Sequence, residues 1–329
     1  MNQVSRSNII PLLVLASIHI LFLWWILIPA IGWFSILGLI PIIGYKNLPI
    51  KINKLNISEI SLDIFSFGIG IFSTIWIIIK FDTSPVFSSA LIGSLVSFIP
   101  NSVLGIKTKL IQNISHTKLT IYAGSFTGMT GLQYFPNILS LVITAIIGGV
   151  IYNLLRNSFF GLGGKLGSIG FGAIILYLLS SKILNITGGI KIEAPTTDLA
   201  ILTAILSSVF GGFGTFLLTS KLNWHVLKAS ALLSLVIAIP FEIWEIKEYI
   251  SIPFVVFGAS FIGMSSHKIF DNNLILIASI LFGIFYTLFN NSFNEIGGTL
   301  GTTACLCCLS VLVINKLLIK RSQSKSIRV

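Results

Sequence analysis

The sequence predicts an all-α integral membrane protein, with an N-terminal helical hairpin followed by two inverted repeats of five membrane segments. The first observation behind this prediction is composition: 54% of the residues are hydrophobic, 9% are charged, and the mean hydropathy is +0.97. A soluble domain needs a more polar surface than this. The apolar residues form stretches of roughly 18 to 22, long enough to cross about 30 Å of hydrocarbon as helices.

The second observation is an internal duplication. The stretch Tyr122–Ser168 returns as Phe257–Thr302: YAGSFTGMTG is matched by FGASFIGMSS, and NSFFGLGGKLGS by NSFNEIGGTLGT. The offset is 135 positions in the first part and 134 in the second. The preceding segments match more weakly, with Ser94 and Ser234 aligned at an offset of 140. Because five crossings are an odd number, the second repeat enters the membrane from the side opposite to the first.

The segments follow in order from the apolar stretches and their polar breaks. The predicted regions are a transmembrane hairpin (1–45, with spans 9–28 and 29–44), a cytoplasmic linker (46–61), repeat one (62–181), an extracytoplasmic linker (182–198), repeat two (199–318) and a basic cytoplasmic tail (319–329). The five segments of repeat one are 62–79, 86–104, 119–132, 138–155 and 160–181. Those of repeat two are 199–219, 226–241, 252–266, 274–290 and 296–318. Twelve segments therefore cross or enter the membrane.

The charges give the orientation. The net charge is +11, and the lysines and arginines lie in short alternate loops and the tail, whereas a group of glutamates lies in one loop of the opposite set. This asymmetry places the basic loops and both termini in the cytoplasm. The chain itself is expected to lie in the cell (inner) membrane. Because the basic residues do not share one face, no nucleic-acid partner is predicted; the expected partners are the lipid bilayer, a small solute and a second copy of the chain in a homo-oligomer.

The third segment of each repeat is short and rich in small polar residues. In inverted-repeat transporters such segments point to a central binding site, because broken helices expose backbone groups there. The predicted substrate-binding residues are Ser125, Phe126, Thr127, Gly128, Thr130, Ser260, Phe261, Gly263, Ser265 and Ser266. Helix packing through the small residues is an alternative interpretation that is compatible with a site. For the two phenylalanines, core packing is preferred to a gate.

The fifth segment of each repeat opens with a glycine pair. Such a pair lets the backbone approach a solute or another helix, and amides at a helix start favour an anion. The secondary candidates are Gly164, Lys165, Gly167, Gly298, Thr299 and Gly301. Lys165 and Thr299 occupy the same place in the two repeats, so the lysine has no symmetric role. Helix packing is again the alternative.

Enzyme chemistry is not predicted. The chain has no HExxH and no GxSxG motif, and its cysteines, Cys305, Cys307 and Cys308, fall in one apolar segment where they are interpreted as packing residues. No metal site and no cofactor are expected. Few ionisable side chains fall deep in the segments, which disfavours a proton-coupled carrier.

The prediction for function is channel-like or facilitative permeation of a small polar solute, neutral or anionic, between the two repeats. A sodium-coupled secondary transporter is the alternative within transport, and a non-transporting scaffold or assembly subunit is the alternative from another class. Two five-segment halves in a chain of this length resemble urea-transporter-type channels in architecture only, since the motifs of that family are absent and the hairpin is an addition.

Overall fold

The computed structural model describes residues 9–24, 41, 43–45, 48, 57–100, 108–183, 199–246, 249–293 and 296–326. Most of the second hairpin segment and most of both predicted linkers lie outside these residues. Across the described ranges the chain forms eleven α-helices, short 3-10 turns that include 43–45 and Leu132–Tyr134, and no strand. The helices are α1 (Ile9–Phe22), α2 (Ile57–Phe81), α3 (Pro85–Phe98), α4 (Thr108–Gly128), α5 (Ile138–Leu155), α6 (Lys165–Ile183), α7 (Ile201–Lys221), α8 (Val226–Ile243), α9 (Ser251–Gly263), α10 (Asn272–Phe293) and α11 (Thr299–Ser326).

Five of these helices are long and apolar enough to cross a membrane. They are α2, α5, α7, α8 and the part of α11 from Thr299 to Leu317. Shorter apolar helices include α1, α3 and α9. The all-helical class is therefore confirmed for the described residues, and the five long apolar helices are compatible with a membrane protein.

The faces of α7 have the distribution of side chains that is expected for a helix in a bilayer. Leu202, Leu206 and Phe210 recur at every fourth position and are exposed on the outside of the molecule, whereas Ser208 and Thr215 are fully buried. In lipid the apolar residues can face outward, and small or polar residues pack between helices. The apolar stripe on α7 is therefore the expected lipid-facing surface.

Three helix starts differ by five residues or more from the predicted segments. Helix α2 begins at Ile57, inside the predicted linker 46–61, because its first turn is polar and hydropathy did not indicate it. Helix α4 begins at Thr108, ahead of the predicted start at 119. Its first turns are polar, so hydropathy did not indicate that they belong to the helix. Helix α6 begins at Lys165 and not at 160, since Phe159, Gly161 and Gly164 have φ angles of 57°, 83° and 79°. Left-handed residues interrupt the helical hydrogen-bond ladder. Helix α11 continues to Ser326, through most of the predicted tail.

The helices of the two duplicated halves pack in the same pattern. Helix α2 packs against α4 and α5, and α7 packs against α9 and α10; α3 packs against α8, and α6 against α11. The turns before α3 and α8 also correspond, because Asp82 and Asn223 have φ angles of 50° and 52° and both helices have a capped start, at Ser84 and His225. These matched turns lie 141 positions apart, one more than the sequence alignment of this region suggests.

Helices α3 and α8 run antiparallel to each other. At one end, the amide of Ser84 donates a hydrogen bond to Oε1 of Glu242 at 2.8 Å. At the other end, the ammonium group of Lys228 lies 5.1 Å from the centre of the Phe98 ring. The start of each helix therefore lies beside the end of the other.

Candidate functional site

The glycine loops that precede α6 and α11 each dock on the third segment of the other repeat. The amide of Gly163 donates to Oγ of Ser265 at 3.1 Å, and the amide of Gly297 donates to Oγ1 of Thr130 at 3.0 Å. These two hydrogen bonds join matching positions of the duplication. Ser265 and Thr130, both predicted site residues, therefore hold the loops at the centre of the molecule.

Helices α6 and α11 touch through glycines at their first turns. A Cβ atom on Gly301 would lie 2.5 Å from the Cα of Gly167, so neither position has room for a side chain. Gly164 and Gly298 precede these turns with φ angles of 79° and 82°, a conformation that glycine adopts without strain. The four glycines that the sequence singled out are thus required by backbone geometry.

Four aromatic side chains fill the space between α4 and α9. The rings of Phe126 and Phe261 have centroids 4.7 Å apart, and Tyr122 and Phe257 pack on this pair with centroids 4.4 Å from Phe126 and 4.8 Å from Phe261, respectively. All four are buried. Most of the contacts are edge-to-face or tilted, which is the favoured geometry for aromatic pairs. We call these four residues the aromatic cluster.

Two cavities meet the aromatic cluster. The smaller cavity has a volume of about 20 Å³, enough for one water molecule, and its lining includes Phe126, Phe257 and Phe261. The larger cavity has a volume of about 180 Å³ and also reaches Phe261. Phe261 therefore contributes to both walls.

The two linings are built largely from matching positions of the duplication. The matched residues of the larger and smaller cavity are Leu119 and Phe254, Leu162 and Ile296, Gly164 and Gly298, Lys165 and Thr299, Leu166 and Leu300, Gly167 and Gly301, Val226 and Pro85, and Met264 and Met129. Such a correspondence is what two related cavities on opposite sides of one centre would show.

The serine hydroxyls predicted to contact a solute are engaged by protein groups. Oγ of Ser125 lies 2.7 Å from Oγ of Ser89 and donates to the carbonyl oxygen of Tyr122. In the other half, Oγ of Ser260 lies 2.7 Å from Oγ of Ser230. Both predicted serines are fully buried and line neither cavity. They connect α3 to α4 and α8 to α9.

Of the remaining predicted residues, most also form packing contacts. Thr127 donates from Oγ1 to the carbonyl oxygen of Gly170 at 3.1 Å. The amide of Ser266 donates to the carbonyl oxygen of Gly161, and its hydroxyl accepts from the amide of Lys268. Gly128 lies against Thr74 of α2.

Gly263 occupies the equivalent place in the other half, against Thr215 of α7, where a Cβ atom would lie 2.5 Å from that of the threonine. The contacts of Gly128 and Gly263 therefore agree with the alternative interpretation, in which these glycines form a helix-packing face. Phe126 and Phe261, by contrast, line the cavities.

Lys165 and Thr299 show how the two cavities differ. The ammonium group of Lys165 donates to the carbonyl oxygens of Leu155, Arg156 and Ser158 at distances of 3.3, 3.3 and 2.9 Å. It thus caps the carboxyl end of α5 while lining the larger cavity. Thr299 donates to the carbonyl oxygen of Ile296 at 2.9 Å and brings no charge to the smaller cavity.

A partly buried ionic network includes Arg156, which lines the larger cavity, and the sequence did not predict it. Arg156 pairs with Glu59 and, at 3.3 Å, with Asp63, which also accepts a hydrogen bond of 2.7 Å from Nδ2 of Asn153. Glu59 and Asp63 are four positions apart on α2, a spacing that places both on one helix face. This spacing was the available signal, but it did not identify Arg156 as the partner.

A second polar contact that was not predicted links the hairpin to the core. His19 is fully buried on α1, and its Nε2 lies 2.9 Å from Oγ of Ser168, while the hydroxyl of Tyr45 lies 2.5 Å from its Nδ1. A buried histidine that bonds across helices fixes α1 against the start of α6.

The described residues define an all-helical protein whose long apolar helices are compatible with a membrane, with two related cavities that meet at the aromatic cluster. Within the described parts of the chain, no three histidine, cysteine, aspartate or glutamate side chains are grouped as metal ligands. No protein-family model matches the chain, and neither a curated protein nor a solved structure is significantly similar to it.

Proposed function

We propose that this protein forms a passage for a small polar solute, built between two inverted five-segment repeats and preceded by a helical hairpin. The observation that carries the proposal is the pair of cavities, whose linings come from matching positions and which both reach the Phe126 and Phe261 pair. A permeation path through the molecule would have this form: two half-paths that end at one constriction.

The inverted arrangement is supported by the antiparallel packing of α3 and α8. These helices occupy the same place in the two halves, yet the start of one lies beside the end of the other, as the contacts of Ser84 with Glu242 and of Lys228 with Phe98 show. A repeat that crosses the membrane five times reverses the direction of every counterpart helix. Twelve segments with both termini in the cytoplasm complete the proposed topology.

In this mechanism the constriction is aromatic, and the polar contacts come from backbone. Because the hydroxyls of Ser125 and Ser260 are engaged between helices, they position α4 and α9. The solute would instead meet the amides at the starts of α6 and α11, beside Gly167 and Gly301. Movement of the Phe126 or Phe261 ring would connect the two cavities. By the distribution of basic loops, the larger cavity faces the cytoplasm.

Sodium coupling is a second candidate, favoured by one matched pair of hydroxyls. Oγ1 of Thr74 and Oγ1 of Thr215 are buried without a hydrogen-bond partner. They lie beside Gly128 and Gly263, where α4 and α9 end. The last carbonyl groups of a helix have no partner within it, and hydroxyl and carbonyl oxygens are suitable ligands for Na⁺.

The experiment is solute-induced swelling of liposomes that contain the purified protein, scanned over small neutral solutes and small anions, with and without a sodium gradient. Swelling that is independent of sodium supports the passage, and swelling that requires sodium supports the coupled carrier. Absence of a response to every solute, from protein shown to be folded, contradicts both and favours a non-transporting membrane scaffold or assembly subunit.

A further inference from the structure

A further cavity lies where α3 ends and α8 begins, and no residue of the aromatic cluster lines it. Its volume is about 280 Å³, and two of its lining residues, Phe98 and Ile99, are exposed. Its basic side chains are Lys118, His225 and Lys228, and none of its described lining residues is acidic. We call this cavity the basic pocket.

Aromatic rings hold the ammonium group of Lys228 at the basic pocket. The group lies 4.8 Å from the centre of the Trp224 ring and 5.1 Å from that of Phe98. A ring face attracts a cation without neutralising its charge. The ion pairs found among the described residues both belong to Arg156, so neither of them includes Lys228. The positive charge of Lys228 is therefore available to an anionic group in the pocket.

Lys118 and His225 are fixed in position by backbone groups. Lys118 is only 7% exposed, and its ammonium group donates to the carbonyl oxygen of Ile99 just after α3. Nδ1 of His225 accepts the amide hydrogen of Leu227 at 3.3 Å, so Nε2 of the neutral ring carries the hydrogen and is a donor. The pocket thus combines two positive charges with a neutral hydrogen-bond donor.

The fold does not require these basic residues. The matching positions of the duplication carry no charge, since Lys118, His225 and Lys228 correspond to Pro253, Ser84 and Phe87. Helices form at the same places in both halves, with a capped start at Ser84 as well as at His225. At the opposite end of the α3 and α8 pair, the structure places the carboxylate of Glu242. The pair therefore has cations at one end and an anion at the other.

An apolar surface adjoins the basic pocket. Leu95 precedes Phe98 by three positions on α3, which places both on one helix face, and their side chains are 58% and 59% exposed. Helix α8 is long and apolar enough to cross a membrane, so its first turn is expected at the boundary of the hydrocarbon. Trp224 agrees with this depth, because tryptophan is enriched at membrane interfaces. The pocket therefore lies at the level expected for lipid head groups, beside a surface suited to acyl chains.

We infer that the basic pocket binds the head group of an anionic phospholipid, with the phosphate near Lys118, Lys228 and His225 and an acyl chain along Leu95 and Phe98. Basic pockets between membrane helices on the cytoplasmic side suit such head groups, because the cytoplasmic leaflet is rich in anionic lipids. The proposed orientation places this end of α3 and α8 in the cytoplasm. Lipid binding itself does not depend on the proposed passage.

The test is native mass spectrometry of the purified protein in detergent, with phosphatidylglycerol and phosphatidylcholine that have the same acyl chains. Phosphatidylglycerol is expected to bind roughly ten-fold more tightly or better, because only its head group has a net negative charge. Lys228→Gln should reduce this preference about five-fold, the typical contribution of one lysine near an anionic lipid surface. Lys228→Arg, which keeps the charge, should retain the preference.

Lys221→Gln is the matched control for Lys228→Gln. Lys221 is exposed at the end of α7, on the same predicted side of the membrane, and it does not line the pocket. This variant should keep the wild-type preference for phosphatidylglycerol. Equal binding of both lipids by the wild-type protein, or the same loss in Lys221→Gln as in Lys228→Gln, would overturn the inference.

Thermal unfolding distinguishes a lipid from free phosphate. Phosphatidylglycerol should raise the melting temperature of the wild-type protein by a few degrees relative to phosphatidylcholine, because a ligand that binds only the folded state stabilises it. Inorganic phosphate at matched ionic strength should not do so. An equal rise with inorganic phosphate would mean that the pocket binds the free ion and that the lipid inference is wrong.

Liposome swelling separates this inference from the proposed function. Swelling without a preference for phosphatidylglycerol means that the passage exists and the lipid inference is wrong. A preference that Lys228→Gln reduces, without swelling for any solute, means that the lipid site stands and the passage does not.

Discussion

The rings of Phe126 and Phe261 are in contact, with centroids 4.7 Å apart, although 135 positions separate the two residues in the chain. Phe126 comes from α4, Phe261 from α9, and the loops before α11 and α6 dock behind them through Gly297 and Gly163. The contact between these two residues therefore lies where the two duplicated halves meet and where the two cavities end.

Removing one ring of this pair should open the constriction. We expect Phe126→Ala to increase solute flux several-fold and to reduce discrimination between solutes, because the barrier between the cavities becomes shorter. Phe→Ala in a core typically costs about 3–5 kcal/mol of stability, so the measurement needs folded protein in liposomes.

Phe216→Ala is the matched control for the ring deletion, because Phe216 is similarly buried but lines neither cavity. Its flux should stay at the wild-type level. An equal change of flux in both variants would mean that the effect arises from loosened packing and not from the aromatic pair.

The glycine contact between α6 and α11 should tolerate no side chain. We expect Gly301→Ala to lower the melting temperature by a few degrees, because its Cβ would lie 2.5 Å from the Cα of Gly167 and overpacking typically costs about 1–3 kcal/mol. Gly68→Ala is the control, since its Cβ would lie at an ordinary 3.5 Å from Ala145. If the two variants melt alike, close approach at Gly301 is not a stability requirement.

The ionic network on α2 and α5 should be sensitive to the loss of one carboxylate. Asp63→Asn removes one of the two carboxylate partners of Arg156 and leaves the Glu59 pair in place, so we expect a loss of about 1.5–3 kcal/mol, the typical contribution of a hydrogen bond to a charged group. Chemical or thermal unfolding in detergent measures the loss. Asp82→Asn, at an exposed turn, should have little effect, and a comparable loss there would refute a specific role of the network.

The inverted topology predicts opposite accessibility for two equivalent lysines. Lys80 and Lys221 lie at the ends of α2 and α7, 141 positions apart, and both are exposed. In a variant without the three native cysteines, Lys80→Cys should react with a membrane-impermeant thiol reagent from outside the cell and Lys221→Cys only from inside. Labelling of both from the same side would contradict inverted repeats.

Much of the fold could be predicted from the sequence, because hydropathy reports the solvent of each segment. The predicted segment 138–155 coincides with α5, where Asn137 accepts the amide hydrogen of Ser140 as an N-cap. The start of α6 was misplaced, because hydropathy does not reveal that Phe159 and Gly161 adopt left-handed backbone. Segment boundaries therefore depended on local dihedral angles as well as on composition.

The candidate site was predicted only in part. The duplication identified the segments that meet at the centre, including Phe126, Phe261 and the glycine pairs, since repeated residues mark equivalent places. It did not show which side chains face a cavity: Ser125 and Ser260 turn toward α3 and α8.

Composition and the repeated motif by themselves determined that this chain is helical, has apolar segments of membrane-spanning length and carries an internal duplication, because these properties follow from hydrophobicity and residue identity along the chain. Only the tertiary structure decided that Arg156 joins Glu59 and Asp63, that Gly167 meets Gly301, and that Lys165 lines the larger cavity. Such pairings depend on the rotation and depth of each helix against its neighbours. Packing across distant parts of the chain fixes both, and no local pattern records them.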